Sequence, residues 1–302
     1  MGHIETDFNG ETDTKAKLLE MPLARSDRPT DARDVTSALS ESMREAKQHR
    51  PYGSDAYWIG RHQQRARTAG DDLTDEWLLT WTQLQPLLAP LLPRSAAVLD
   101  LGCGTSFLCM DLLRDFDESA TALAIDIAIG AIEHQREEQL ARVASNEASA
   151  ARAAFATIDA TKPGAELSDA PLDACIDKST TDGLLCDVHR GAERVRQMYA
   201  NVGRAIAPRG IVVVCSWRDP ESDGLEWIVD LVLGGLQLGV AQAESPSTWS
   251  LDVHTLVSRS GERGPHVYLL QRRLLRRSSR RPASATEDEQ GLMRMRHHLH
   301  QD

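Results

Sequence analysis

The chain is predicted to form a doubly wound α/β fold, with a mostly parallel, seven-stranded sheet closed by an antiparallel C-terminal hairpin. Three observations carry this. The run Ala96-Ala97-Val98-Leu99-Asp100-Leu101 stops at Gly102-Cys103-Gly104, and apolar residues at helical spacing follow from Ser106 to Phe116. That order is the strand, glycine bend and helix that open a nucleotide-binding unit. A second run, Ala122-Leu123-Ala124-Ile125, ends in Asp126, 24 residues after Gly102. An acid at that strand tip is placed to accept from ribose hydroxyls. Ile211-Val212-Val213-Val214-Cys215 is apolar without alternation, the mark of a strand covered on both faces.

Composition narrows the class. The 302 residues suit one large domain with extensions. A net charge of -11 argues against a nucleic-acid-coating role. No charged-then-apolar leader pattern and no run of 18 uncharged apolar residues occurs, and Trp227 to Ala241 is interrupted by Asp230 and by Gly234-Gly235. The expectation is a cytoplasmic protein with no membrane span. The cysteines Cys103, Cys109, Cys175, Cys186 and Cys215 are odd in number and form no C-x-x-C pair. They read as small buried apolar residues rather than a disulfide framework or zinc site. The histidine cluster His297, His298 and His300 lies near the end, and no metal site is expected.

In chain order, Met1 to about Arg50 is a polar extension, disordered or weakly helical over Asp31 to Gln48. Tyr52, Tyr57, Trp58, Trp77 and Trp81 are five of the ten Tyr and Trp residues, and they read either as a packed N-terminal cap or as the wall of a pocket. Leu84, Leu87, Leu88, Leu91 and Leu92 give a helix over about Thr82 to Leu92, broken by Pro86 and Pro90. The glycine bend is not the dinucleotide fingerprint, because Phe107 stands where the third glycine belongs. Asp100 at the strand tip repels phosphate and suits a ligand with ribose hydroxyls and a positive charge. Ile129 to Ala151 reads as helix. Phe155 to Ile158 is a third strand followed by Asp159, an acceptor for an exocyclic amine or a turn former. Leu172 to Ile176 is the fourth strand and runs into Asp177-Lys178-Ser179-Thr180-Thr181-Asp182-Gly183-Leu184. The ligand crevice of such a sheet lies outside the strand carboxyl ends, where the strand order reverses. Ala192 to Ile206 is a helix, Gly224 to Val240 a mixed helical stretch, and Ser250 to Leu256 with His266 to Gln271 the closing hairpin. Residues 51–272 form the folded domain, and residues 273–302 a basic flexible tail with Arg273, Arg276, Arg277, Arg280 and Arg281.

The order of glycine bend, acid after strand two, Asp159 after strand three, Asp177 to Leu184 after strand four and Ala207-Pro208-Arg209-Gly210 before strand five resembles the class I methyltransferases. More narrowly it is similar to the eukaryotic group that methylates lysines of elongation factor 1A, through Tyr57-Trp58, Glu76-Trp77 with Trp81, and the D-K-x-T-x-D segment. The sequence departs from that group at Ser179, Thr181, Gly183 and Trp81, where glycine, leucine, alanine and tyrosine are usual. The resemblance implies S-adenosylmethionine as cofactor, a molecule with both ribose hydroxyls and a sulfonium charge. It places the cofactor on Asp100, Gly102 and Gly104, on Asp126 and Ile127, on Asp159 and Ala160, and on Trp58 and Asp177. It implies a protein lysine as methyl acceptor, with a small-molecule amine, thiol or hydroxyl as the alternative and a non-catalytic binding protein as a further one. Asp177 and Asp182 are the candidate catalytic pair, guiding an ammonium that must lose a proton with a reference pKa near 10.4. Trp58 and Trp77 are the apolar wall that favours the neutral amine. The sequence leaves the oligomeric state open.

Overall fold

The computed structural model describes residues 19–21, 51–67, 76–241, 247–257, 263–274 and 293–301. The expected seven strands are present as β2 (Ala97–Leu101), β3 (Thr121–Asp126), β4 (Ala153–Thr157), β5 (Leu172–Lys178), β6 (Ile206–Ser216), β7 (Ser247–Val257) and β8 (Arg263–Leu274). Two further strands, β1 (Leu19–Met21) and β9 (Met293–Gln301), extend the far edge, and the sheet order is β1-β9-β7-β8-β6-β5-β2-β3-β4. Strands β4, β3, β2, β5 and β6 are parallel, β8 runs antiparallel to β6, and β7 antiparallel to β8. Both β1 and β9 fall where the sequence reading placed only an extension and a tail.

The parallel strands form because their apolar runs have helices to cover both faces. On one face α2 (Trp81–Leu88) and α3 (Leu108–Arg114) pack over Val98, Ile176 and Val213. On the other, α6 (Gly191–Ala205), a π-helical segment Ile228–Leu233 and α7 (Gly234–Val240) pack over Leu99, Cys175, Val212 and Val214. The glycines of the Trp227 to Ala241 stretch serve this packing: a Cβ on Gly239 would stand 2.2 Å from the Ala200 carbonyl of α6. No described helix is long and apolar enough to cross a membrane.

Element ends differ from the sequence reading where one residue dictates the stop. The long helix expected from Ile129 ends at Ala144, as α4 (Ile129–Ala144), because Asn146 turns left-handed with φ 67° and a 3-10 turn follows over Ala148–Arg152. The leucine-rich helix keeps Pro86 inside α2 and gives way at Pro90 to a 3-10 turn, Ala89–Leu91. Arg272, the last residue of the expected domain, is a buried β8 residue whose Nη1 donates to the Ile206 carbonyl at 2.9 Å. The weak helix expected over Asp31 to Gln48 and the arginines 276–281 lie outside the described residues.

Candidate active site

Strands β2, β3 and β4 succeed one another in one direction across the sheet, whereas β5 lies on the other side of β2. That reversal opens a crevice at the carboxyl ends of β2 and β5. A cavity of about 980 Å³, part of it open to solvent, occupies it. Its floor is the glycine bend. Gly102 and Gly104 have φ of 72° and 52°, a region that L side chains avoid. The amides of Gly102 and Cys103 both donate to the Ile125 carbonyl, at 2.8 and 2.9 Å, which pins the bend to β3. A Cβ on Gly102 would stand 2.0 Å from Thr180 Oγ1, so bare backbone is a requirement here.

Asp126 at the tip of β3 finishes the floor. Its Oδ2 accepts from the Gly104 amide at 3.0 Å and its Oδ1 from the Ala128 amide at 2.7 Å. Burial raises its pKa from the ordinary value, opposed by those amides and by nearby His62. Ile127, just after β3, and Asp159 and Ala160, beyond β4, continue the lining. Asp159 Oδ1 accepts from the Thr161 amide and hydroxyl at 3.0 and 2.6 Å, so the residue does form a turn while facing the cavity.

The cap supplies the aromatic wall. Helix α1 (Asp55–Arg67) carries Trp58, whose Nε1 donates to the Tyr52 carbonyl at 2.7 Å. Tyr52, Trp58 and Trp77 all line the cavity, with the two indoles 5.7 Å apart and the Arg61 guanidinium over both. Arg194 of α6 holds the start of α1 through Asp55 and the Gly53 carbonyl. Trp81 is not part of this wall: it is buried in the core, its Nε1 donating to Asp115 at 2.6 Å.

Three expected residues lie off the cavity. Asp177 pairs in register with Leu101, so its side chain leaves the sheet on the α6 face. There it is fully buried and accepts from the Thr180 and Thr181 amides, from Thr181 Oγ1 at 2.5 Å and from Tyr199 OH at 2.7 Å. Those bonds start α5 (Thr180–Leu185). Burial still pushes the Asp177 carboxyl up to about 6. Asp182 is likewise committed: it accepts from Ser216 Oγ at 2.6 Å and the Trp217 amide at 3.1 Å, and pairs with Arg218 at 3.8 Å. It fixes the turn after β6 that carries the exposed Trp217. Neither carboxylate lines the cavity, which corrects the expectation that the pair meets an acceptor. Asp100 sits just beneath the lining, 2% exposed, with its Oδ2 unpartnered among the described residues. Burial pushes its carboxyl up to about 7.

Sequence reasoning missed His62, Lys178, Ser179, Thr180 and Arg194, all of which line the cavity. Lys178 and Thr180 were within a quoted motif and needed only the strand parity. His62 and Arg194 reach the site through tertiary packing alone.

A glycine bend with an acid from the next strand, at the switch point of a parallel sheet, defines a nucleoside site of the class I methyltransferase type. A family model described as a methyltransferase domain matches residues 93–253, more than half of the chain, and the chain belongs to that family. It carries a methyltransferase domain. It is 29% identical over 159 residues to the human mitochondrial citrate synthase-lysine N-methyltransferase, a match covering 49% of this chain and 64% of that protein. It is 30% identical over 166 residues to the mouse eEF1A lysine and N-terminal methyltransferase, covering 54% of this chain and 21% of that protein. The chain thus spans under two thirds of either relative. Among solved structures, a TehB-like SAM-dependent methyltransferase from Corynebacterium glutamicum matches with a TM-score of 0.43 and 14% identity, over 70% of this chain and 95% of that one.

The residues present fit the cofactor. A bend without side chains leaves room against the backbone, and each Asp126 oxygen keeps a lone pair for a ribose hydroxyl beyond the amide it accepts. The orphaned buried Asp100 oxygen faces a need for a donor that a cationic ligand meets.

Proposed function

We propose that this chain transfers a methyl group to a lysine side chain of a protein. The observation that carries the reading is the indole wall of Trp58 and Trp77 over a cavity whose floor fits an S-adenosyl group. The similarity to two enzymes named for lysine methylation supports it. Bound S-adenosylmethionine supplies an electrophilic methyl on a sulfonium. The protein's part is alignment and exclusion of water. Gly102 and Gly104 receive the ligand against bare backbone, and Asp126 orients the ribose. Ile127, Asp159 and Ala160 frame the base. Trp58 and Trp77 lower the local dielectric and favour the uncharged amine that can attack. Asp177 and Asp182 act as positioning residues, holding the start of α5 and the Trp217 turn after β6.

Incubation of the full chain with radiolabelled S-adenosylmethionine and a cell lysate tests this. Citrate synthase and eEF1A, which name the relatives, are the first purified acceptors to try. The expected result is a discrete labelled protein with the label on lysine. Label confined to the small-molecule fraction contradicts the lysine reading and supports a small-molecule acceptor.

A further inference from the structure

Trp217 alone among the described aromatic residues is exposed, at 60%. An indole in water forgoes the burial that a ring of its size gains in a core. Its backbone is nevertheless fixed. The Trp217 amide donates to Asp182 Oδ2 at 3.1 Å, and its neighbours Ser216 and Arg218 are buried. The Arg218 amide donates to Ser216 Oγ at 3.0 Å, and the Arg218 carbonyl accepts from Tyr268 OH at 2.5 Å. A large ring turned to solvent on a held turn is preorganised for contact with a partner.

Two further observations say where that ring stands and what it meets. Strand β6 runs parallel to β5 with Cys215 opposite Lys178, so the turn leaves the sheet at the same end as the cavity. Asp182 Oδ2 accepts a second bond, from Ser179 Oγ at 3.4 Å, and Ser179 lines the cavity. Ser179 Oγ and the Trp217 amide are therefore at most two hydrogen-bond lengths apart. The chain beyond the ring is acidic. Residues 219–241 hold Asp219, Glu221, Asp223, Glu226 and Asp230 and no Lys, Arg or His. Asp223 Oδ2 accepts from the Asp219 amide and Asp219 Oδ1 from the Glu221 amide, both at 2.8 Å, which sets the turn, and Glu221 and Glu226 are exposed. An indole face beside carboxylates attracts cations and repels the phosphates of nucleic acid or lipid.

We infer that Trp217 and residues 219–226 dock the protein acceptor through a segment rich in lysine or arginine beside the target lysine, whose side chain enters the cavity past Ser179. The inference rests on the lysine reading proposed above and names the chemistry of the acceptor around its target. Trp217 then contributes to recognition of the acceptor and nothing to the cofactor.

Fluorescence anisotropy of the full chain tests it, with a fluorescein-labelled peptide of alternating Gly and Lys and a matched peptide of alternating Gly and Glu. The unaltered protein binds the lysine peptide and not the glutamate peptide. Trp217→Ala weakens the lysine peptide by about fivefold or more, and so does Glu221→Lys combined with Glu226→Lys. All three proteins keep the same affinity for S-adenosylhomocysteine by calorimetry, which shows that the variants are folded. Equal binding of the two peptides, or unchanged lysine-peptide affinity in both variants, overturns the inference. Radiolabelling of a cell lysate separates it from the reading beneath it. Equal labelling of a protein lysine by the unaltered chain and by Trp217→Ala overturns the docking surface alone, whereas no labelled protein with the unaltered chain overturns both.

Discussion

The Gly104 amide donates to Asp126 Oδ2 at 3.0 Å, joining the glycine bend after β2 to the acid that ends β3. The two features that the sequence separates by 22 residues are one structural unit. Asp126→Ala removes the acceptor for two amides and the partner proposed for the ribose. The expected outcome is a loss of roughly tenfold or more in S-adenosylhomocysteine affinity, read by calorimetry, with the circular dichroism of the sheet retained.

Gly102→Ala tests the bend itself. The left-handed backbone costs a side chain about 1–2 kcal/mol, and the new Cβ meets Thr180 Oγ1, which donates to the Leu101 carbonyl at 2.8 Å. Lower stability by at least that amount, measured by urea unfolding, is expected together with weakened cofactor binding.

Asp100 gives the protein a pH dependence. Its carboxyl stands at about 7 in the fold against an ordinary value of 3.8. The folded state therefore holds this proton more tightly than the unfolded chain. Stability from this group is full below about pH 4 and falls as pH rises through about 7, by at most about 1.4 kcal/mol per pH unit. Asp100→Asn removes that dependence. The variant should gain stability relative to the unaltered protein between pH 5 and pH 8, read as a shift in the urea midpoint.

Trp81→Phe separates core from site. It deletes the bond from the Trp81 indole to Asp115 and leaves the ring packed near Phe116, whose centroid lies 6.1 Å away. A loss of about 1 kcal/mol in stability is expected, with cofactor affinity unchanged. Trp58→Ala should show the reverse pattern, with the larger effect on kcat/KM.

Much of this architecture is legible in the chain, for identifiable reasons. Ala97 to Leu101, Asp100 apart, and Ile211 to Cys215 are apolar because helices cover both faces of the sheet, and such runs are visible without an alignment. Gly102 and Gly104 announce a left-handed bend, and at Gly102 a side chain would meet Thr180. Ser179 adopts φ 74°, which explains why the resembled group carries glycine there. What escaped depends on parity and on tertiary contact. Asp177 and Lys178 are adjacent, yet alternation along β5 sends one to the α6 face and the other to the cavity. Nothing local marks Glu76 as the partner of a lysine 102 residues on. Strand β9 had a faint alternating signal in Met293, Met295 and Leu299, interrupted by His297 and masked by the intervening Arg and His.

The central claim is that an S-adenosyl group lies across the carboxyl ends of β4, β3, β2 and β5. A crystal structure of the full chain with S-adenosylhomocysteine measures this most directly. The account predicts the ribose hydroxyls within hydrogen-bond distance of Asp126, the adenine beside Asp159 and Ala160, and the amino-acid end over Gly102. Ligand density elsewhere, with the crevice between Gly104 and Asp126 left empty, would contradict it.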